Sequence, residues 1–206
     1  MVRAPSDVPW QSDERTFRIC VFEGADSRLS TFDYSRTSLT TVLEQCAWRS
    51  DEEARLWALA VVVQTSAGEP GGLVWLSGTD YRTRPSRPSG WRARREMQDR
   101  YLAARTRRGE APLLPDGRRL IRMFFDHGRT LPLWETFTDH YTIERGALPL
   151  TPGLERDLAT WQETWEDRSP DPAPGDDETF LTTAWALHAR LERELEDIAE
   201  VRPDFC

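Results

Sequence analysis

The sequence predicts an α+β fold: a mostly antiparallel sheet of four to five strands with packed helices and a C-terminal helical hairpin. Three observations predict it. Apolar runs of strand length recur at residues 16–22, 57–64, 72–77 and 119–125. Apolar residues at spacings of three and four mark helices between and after them. The last two helical patterns follow one another with only a Pro/Asp-rich stretch between, which is the signature of an antiparallel helix pair.

Residues 1–14 are polar, contain two prolines, and are expected to form a flexible arm. Thr16-Phe-Arg-Ile-Cys-Val-Phe22 alternates as a strand does. Residues 37–48 predict a short helix capped by Thr37 or Ser38, with Leu39, Val42, Leu43 and Cys46 on its inner face. Residues 51–55 favour helix, but the Val/Leu/Ala run from Trp57 onward favours a strand. A turn rich in Gly and Pro then leads into Gly72-Leu-Val-Trp-Leu-Ser77, so the two runs predict a hairpin.

Ser89 is the expected cap of a helix running to about Arg107 and stopped by Gly109. Its apolar stripe is thin: Ala93, Met97, Tyr101 and Ala104, with Trp91 near the start. A strand follows at 119–125, then an irregular aromatic segment at 126–150. Thr151 caps a helix with Pro152 at its first position and Leu154, Leu158, Trp161 and Trp165 on one face. Residues 169–177 read as a loop and 178–198 as the longest helix. A short strand at 199–202 is expected to return to the sheet. Residues 15–206 therefore read as one α+β domain, with 150–198 as a helical sub-lobe. Its length lets such a chain bury about two-thirds of its unfolded surface without a metal or disulfide.

Charge is distributed unevenly. All 27 basic residues are arginine and the net charge is -8. Residues 82–129 hold fourteen arginines against five acids, and residues 131–206 hold six against eighteen. The acidic balance disfavours nucleic acid and anionic membranes as partners and favours a basic protein. Cys20, Cys46 and Cys206 match no metal or redox spacing, which points to a reducing cytoplasm. No apolar leader or membrane-length apolar segment is present, so neither secretion nor a membrane is expected. All-arginine usage with abundant Ala and Pro suggests a GC-rich genome.

Motifs for chemistry are absent. No nucleophile elbow occurs, and Gly68-Glu-Pro-Gly-Gly72 feeds a strand rather than a helix, so it is not a phosphate loop. Asp126-His127 and Asp139-His140, with Glu135 between them, match no metal-site spacing and read as loop residues making ordinary hydrogen bonds. No cofactor or metal is expected. A cryptic active site would have to use Asp80, Asp126, His127 and nearby arginines, and Asp80 reads first as a turn residue. Arg92, Arg94, Arg95, Arg105, Arg107 and Arg108 can meet phosphates or an acidic partner. Pairs such as Arg92/Glu96 and Arg95/Asp99 favour satisfaction within the molecule instead.

The aromatic segment is the most unusual stretch. Phe124, Phe125, Leu131, Leu133, Trp134, Phe137, Tyr141 and Ile143 fall within twenty residues without clean period. Such a segment either plugs a core or displays binding anchors. A mixed outcome places Leu133 and Trp134 inside and Phe137 and Tyr141 at the rim.

The run Arg122-Met-Phe-Phe-Asp-His-Gly128, then Leu131-Pro-Leu-Trp-Glu135, then Leu148-Pro-Leu-Thr-Pro152 leading into a Leu/Trp helix, resembles a group of small actinobacterial proteins of unknown function. Some of these sit in toxin–immunity-type loci. The resemblance covers about residues 118–205 and, at its widest, 73–108. It brings no catalytic residues. It implies an immunity role.

The expected function is therefore a non-enzymatic protein-binding module, an immunity protein masking a basic toxin. The expected contacts are Trp134, Glu135, Phe137, Asp139, His140 and Tyr141, with Glu163, Glu166 and Asp167 supplying charge. The alternatives are an accessory or regulatory subunit docking its basic surface (Arg92, Arg94, Arg95 and Arg105) on an acidic partner or nucleic acid, and a cryptic hydrolase or nucleotide-processing enzyme. No feature sets the oligomeric state.

Overall fold

Strand β1 (Thr16–Glu23) carries Phe17, Ile19 and Val21 on one face and Cys20 and Phe22 on the other, and all five are buried. A strand apolar on both faces must be covered on both. It lies between β2 (Arg28–Ser35) and β3 (Leu56–Val63), with β4 (Gly72–Ser77) outside β3, in an antiparallel sheet of order β2-β1-β3-β4. The computed structural model describes residues 15–63, 71–168 and 176–205. The arm expected at 1–14 and most of the loop expected at 169–177 lie outside the described residues, and Asp176 and Asp177 already belong to a helix.

The strand β2 is absent from the sequence expectations. Its residues are largely hydroxyl or charged, and only Leu29, Phe32 and Tyr34 pack against the cores. That is the pattern of an edge strand, which carries a weak periodic signal. The run at 56–63 is strand throughout.

Helix α1 (Leu39–Arg49) covers one face of this sheet. Ser38 caps it, its side chain accepting from Thr41 N at 3.1 Å. Val42 and Cys46 pack with Phe17, Ile19, Val21, Trp57 and Leu59. Leu39 and Leu43 do not join them; they are exposed on the flank of the helix. Helix α2 (Pro88–Arg107) covers the opposite face, through Met97, Tyr101 and Leu102 against Cys20, Phe22, Leu56 and Ala58. Its N-cap is Arg87, not Ser89, with Pro88 at the first position. Gly78 (φ +71°) closes the turn after β4 so tightly on α2 that a Cβ would stand 2.9 Å from the Met97 side chain.

The last strand returns to a second sheet. β5 (Arg119–Met123) lies between β6 (Leu133–Glu135), antiparallel to it, and β7 (Ala199–Pro203), parallel to it. A parallel pair needs a long crossover. Here α3 (Pro152–Glu166) and α4 (Asp176–Glu194) lie within it and pack on each other. Thr151 caps α3, accepting from Leu154 N. Leu154, Leu158 and Trp161 of α3 share one core with Ala184, Leu187, Leu191 and Leu195 and with Ile121, Met123 and Val201 of the second sheet. Each such fully buried aliphatic side chain contributes ~1.5–3 kcal/mol of transfer free energy.

The layers therefore run α1, first sheet, α2, second sheet, α3/α4. Helix α2 is held between two sheets, which is why Arg94 and Gln98 are buried on it.

Candidate functional site

Two of the residues expected to bind a partner are internal. Trp134 is 2% exposed; it stacks on Phe124 at 4.8 Å and its indole N–H donates to Phe124 O at 3.0 Å. Glu135 is buried and accepts both arms of Arg119, at 2.7 and 2.6 Å. Phe137 is half-buried against the Tyr81/Tyr101 cluster. Asp139, His140 and Tyr141 are exposed, and Tyr141 leans on the Trp134 ring at 5.0 Å. Glu163, Glu166 and Asp167 are exposed at the end of α3. Glu166 accepts from Gly128 N at 2.8 Å, while the neighbouring Arg129 lies over Trp134 at 5.4 Å. This brings the end of α3 and the aromatic segment together, with the expected anchor behind the surface.

One residue of the expected basic docking surface is internal as well. Arg94 is buried: it donates to both Glu200 oxygens at 2.6 and 2.8 Å and to Tyr81 O at 2.6 Å, with its guanidinium 3.7 Å above the Tyr81 ring. This corrects its placement on a surface. Of the others, Arg95 pairs with Asp99, Arg105 with Glu110, Arg107 with Glu53 and Arg108 with Asp51, while Arg92 is exposed. Among these pairs, Arg94–Glu200 ties the arginine-rich segment to the acidic C-terminal part.

Arg94 begins a buried polar spine. Gln98 Nε2 donates to Glu200 at 2.7 Å and to Tyr81 Oη at 3.1 Å. Arg202, 1% exposed, pairs with Asp99 at 2.8 Å and with Asp204, which also binds Arg122. Burial pushes the Glu200 carboxyl up, but the Arg94 hydrogen bonds and charge outweigh it and hold it below the usual range. Beside the spine lies a cleft of about 460 Å³ lined by Tyr81, Arg84, Trp91, Arg118, Glu192 and Glu196, among others. Of its charged side chains, Arg84 pairs with Glu192 across the cleft, and Arg118 pairs with Asp116 outside it.

His188 is buried behind Trp91 and is held neutral. Burial is the main cause that pushes His188 down to about 4, and its Nε2 donates to Val201 O at 3.0 Å. Asp80 is held below the usual carboxylate range by hydrogen bonds from Arg82. Asp126 caps its own neighbour, His127 N, and the His127 ring packs on Trp165. Among the described residues no group of three or more His, Cys, Asp or Glu is placed to hold a metal ion, and no helix is long and apolar enough to cross a membrane.

The surface that stands out is the α1 face of the first sheet. Trp48 is 67% exposed, the highest value for a large hydrophobic side chain among the described residues. It is not loose. The Arg49 guanidinium lies 4.4 Å from the Trp48 ring and 4.0 Å from the Phe32 ring, and its Nε donates to Tyr34 Oη at 3.2 Å. Tyr34 in turn donates to Gln45 at 3.1 Å. A cleft of about 390 Å³ opens beside this stack, lined by Val21, Phe32, Trp48 and Arg49 with the charged Glu23, Asp51 and Arg55. A fixed tryptophan and arginine at a cleft are the residue types that dominate protein interfaces, and holding them in advance lowers the ordering cost of binding. Sequence reading missed Trp48 because it stands at the end of a helix whose other apolar residues fit a core stripe. The helical angle, about 140° from the buried face, was the signal that could have found it.

Comparison with family models, curated proteins and solved structures returns no match for this chain.

Proposed function

We propose that this chain is a non-enzymatic protein-binding module that masks a basic protein, as an immunity protein covers a toxin, and that it does so through Trp48 and the cleft beside it. The single observation that carries the reading is the exposed but stacked Trp48–Arg49–Phe32 unit. Two further facts support it. The net charge of -8 speeds encounter with a basic partner and sets orientation before docking. Of the side chains a cryptic hydrolase would use, Asp80 is bound by Arg82, Asp126 accepts from the His127 backbone and the His127 ring packs on Trp165. The free, buried thiols of Cys20 and Cys46 suit a reducing, cytoplasmic setting.

The test is affinity capture from a lysate of the source organism at ~50 and ~300 mM salt, with wild type and Trp48→Ala side by side. The expected result is one stoichiometric basic protein, bound less at the higher salt and about 30-fold more weakly by the variant, the loss of a ~2 kcal/mol hot spot. A partner held equally by Trp48→Ala but lost by Tyr141→Ala moves the site to the aromatic segment. No partner at either salt removes the masking role.

A further inference from the structure

We infer that two copies of this chain associate through β4, antiparallel across a two-fold axis, joining their four-stranded sheets into one continuous sheet. Among the described residues β4 is the outer strand of the order β2-β1-β3-β4, so alternate N–H and C=O groups along it point away from β3. Natural edges are guarded by charge or proline. From Gly71 to Gly78 there is neither, whereas the opposite edge, β2, carries Arg28 and Asp33. One irregularity interrupts β4: Leu59 pairs with Ser77 and Ala60 with Trp75, which leaves Leu76 as the extra residue. The regular stretch available for pairing is therefore Gly72–Trp75, centred on Leu73 and Val74.

The flanking surface is apolar as well. Val74 pairs with Val61, a member of the core under α1, so its side chain lies on the α1 face of the sheet. On α1, Gln45 and Arg49 reach towards β2, and the opposite flank, towards β3 and β4, carries Leu39 and Leu43. Leu39, Leu43, Val74 and Leu76 are each between 45% and 53% exposed. Val74 and Leu76 therefore stand apolar and exposed on the edge strand itself, and Leu39 and Leu43 on the flank of α1 turned away from β2.

Charge decides for a second copy over a foreign strand. Residues 15–80 hold six arginines against nine acids, whereas residues 131–206 hold six against eighteen. The acidic helices α3 and α4 are separated from the first sheet by α2 and the second sheet. A two-fold at β4 sets an uncharged strand against its own image, with no like charges opposed, and keeps the acidic ends apart. A basic or acidic partner gains nothing from this strand.

The experiment is sedimentation equilibrium of the full chain from ~5 to ~500 µM. The expected result is a concentration-dependent rise from 23.8 kDa towards twice that mass. Val74→Lys and Val74→Glu, each folded by circular dichroism, should each associate about tenfold or more weakly, and an equal mixture of the two should recover the dimer. Trp48→Ala should dimerise as wild type does, which separates this proposal from partner binding. A wild-type monomer throughout the range overturns the proposal, as does a dimer indifferent to both Val74 variants. A wild-type monomer that dimerises once residues 2–14 are removed assigns the edge to the chain's own N-terminal segment and overturns it too.

Discussion

Replacing Arg94 by methionine tests the buried spine that joins α2 to β7. Methionine keeps most of the side-chain volume, so the effect is electrostatic rather than a cavity. Glu200 would lose two hydrogen bonds, of 2.6 and 2.8 Å, and keep the one from Gln98 at 2.7 Å. Tyr81 O would lose its 2.6 Å donor. A carboxylate left buried without its cation costs about 3–5 kcal/mol, and for a domain of this size that lowers Tm by roughly 6–20 °C. Removing the charge as well, in Arg94→Met with Glu200→Gln, should recover at least half of the loss. The deficit also depends on pH. In the wild type the depressed carboxyl contributes stability above the normal glutamate range, which is lost as pH falls through its folded value. In Arg94→Met, burial, the largest influence on Glu200, loses its main opponent and only Gln98 and Arg118 still act against it, so the carboxyl shifts upward and the deficit is largest at neutral pH and shrinks on acidification. Urea unfolding followed by tryptophan fluorescence and circular dichroism measures all of this. A loss below about 1 kcal/mol at pH 7, or a double variant no more stable than Arg94→Met, would refute the reasoning.

Trp134→Ala should destabilise the protein by about 3–5 kcal/mol in thermal or urea unfolding, because it empties a core site; an unchanged midpoint would return Trp134 to the surface. Trp48→Ala should shift stability by no more than about 0.5 kcal/mol while weakening partner binding, and a large loss of stability would make Trp48 a packing residue instead. His188 stays neutral in the fold down to about 4, whereas the unfolded chain takes up its proton near 6.5. Stability should therefore fall as pH drops from 6.5 towards 4, by up to about 3 kcal/mol from this group, and His188→Gln should flatten that slope. A slope the same in both proteins would show that other groups cause it.

The strands with apolar runs, the Ser38 and Thr151 caps, the Pro152 start and the α3/α4 pair were legible in the sequence. Each is a local matter: side-chain periodicity follows backbone geometry, and a cap needs only its own turn. Strand β2 was not legible, because an edge strand needs few apolar residues, and Leu29, Phe32 and Tyr34 stand among hydroxyl and charged ones without a clean alternation.

The sequence by itself determined the α+β class, the absence of recognisable catalytic motifs and the net charge. Only the tertiary structure decided where those charges go and which aromatic residues meet solvent. Arg94 and Glu200 are 106 residues apart, and no local pattern announces that they meet. Trp48 and Trp134 are the same residue type in apolar surroundings, yet one is displayed and the other enclosed. Burial depends on which element packs over a face, and that is set by long-range assembly of the two sheets around α2.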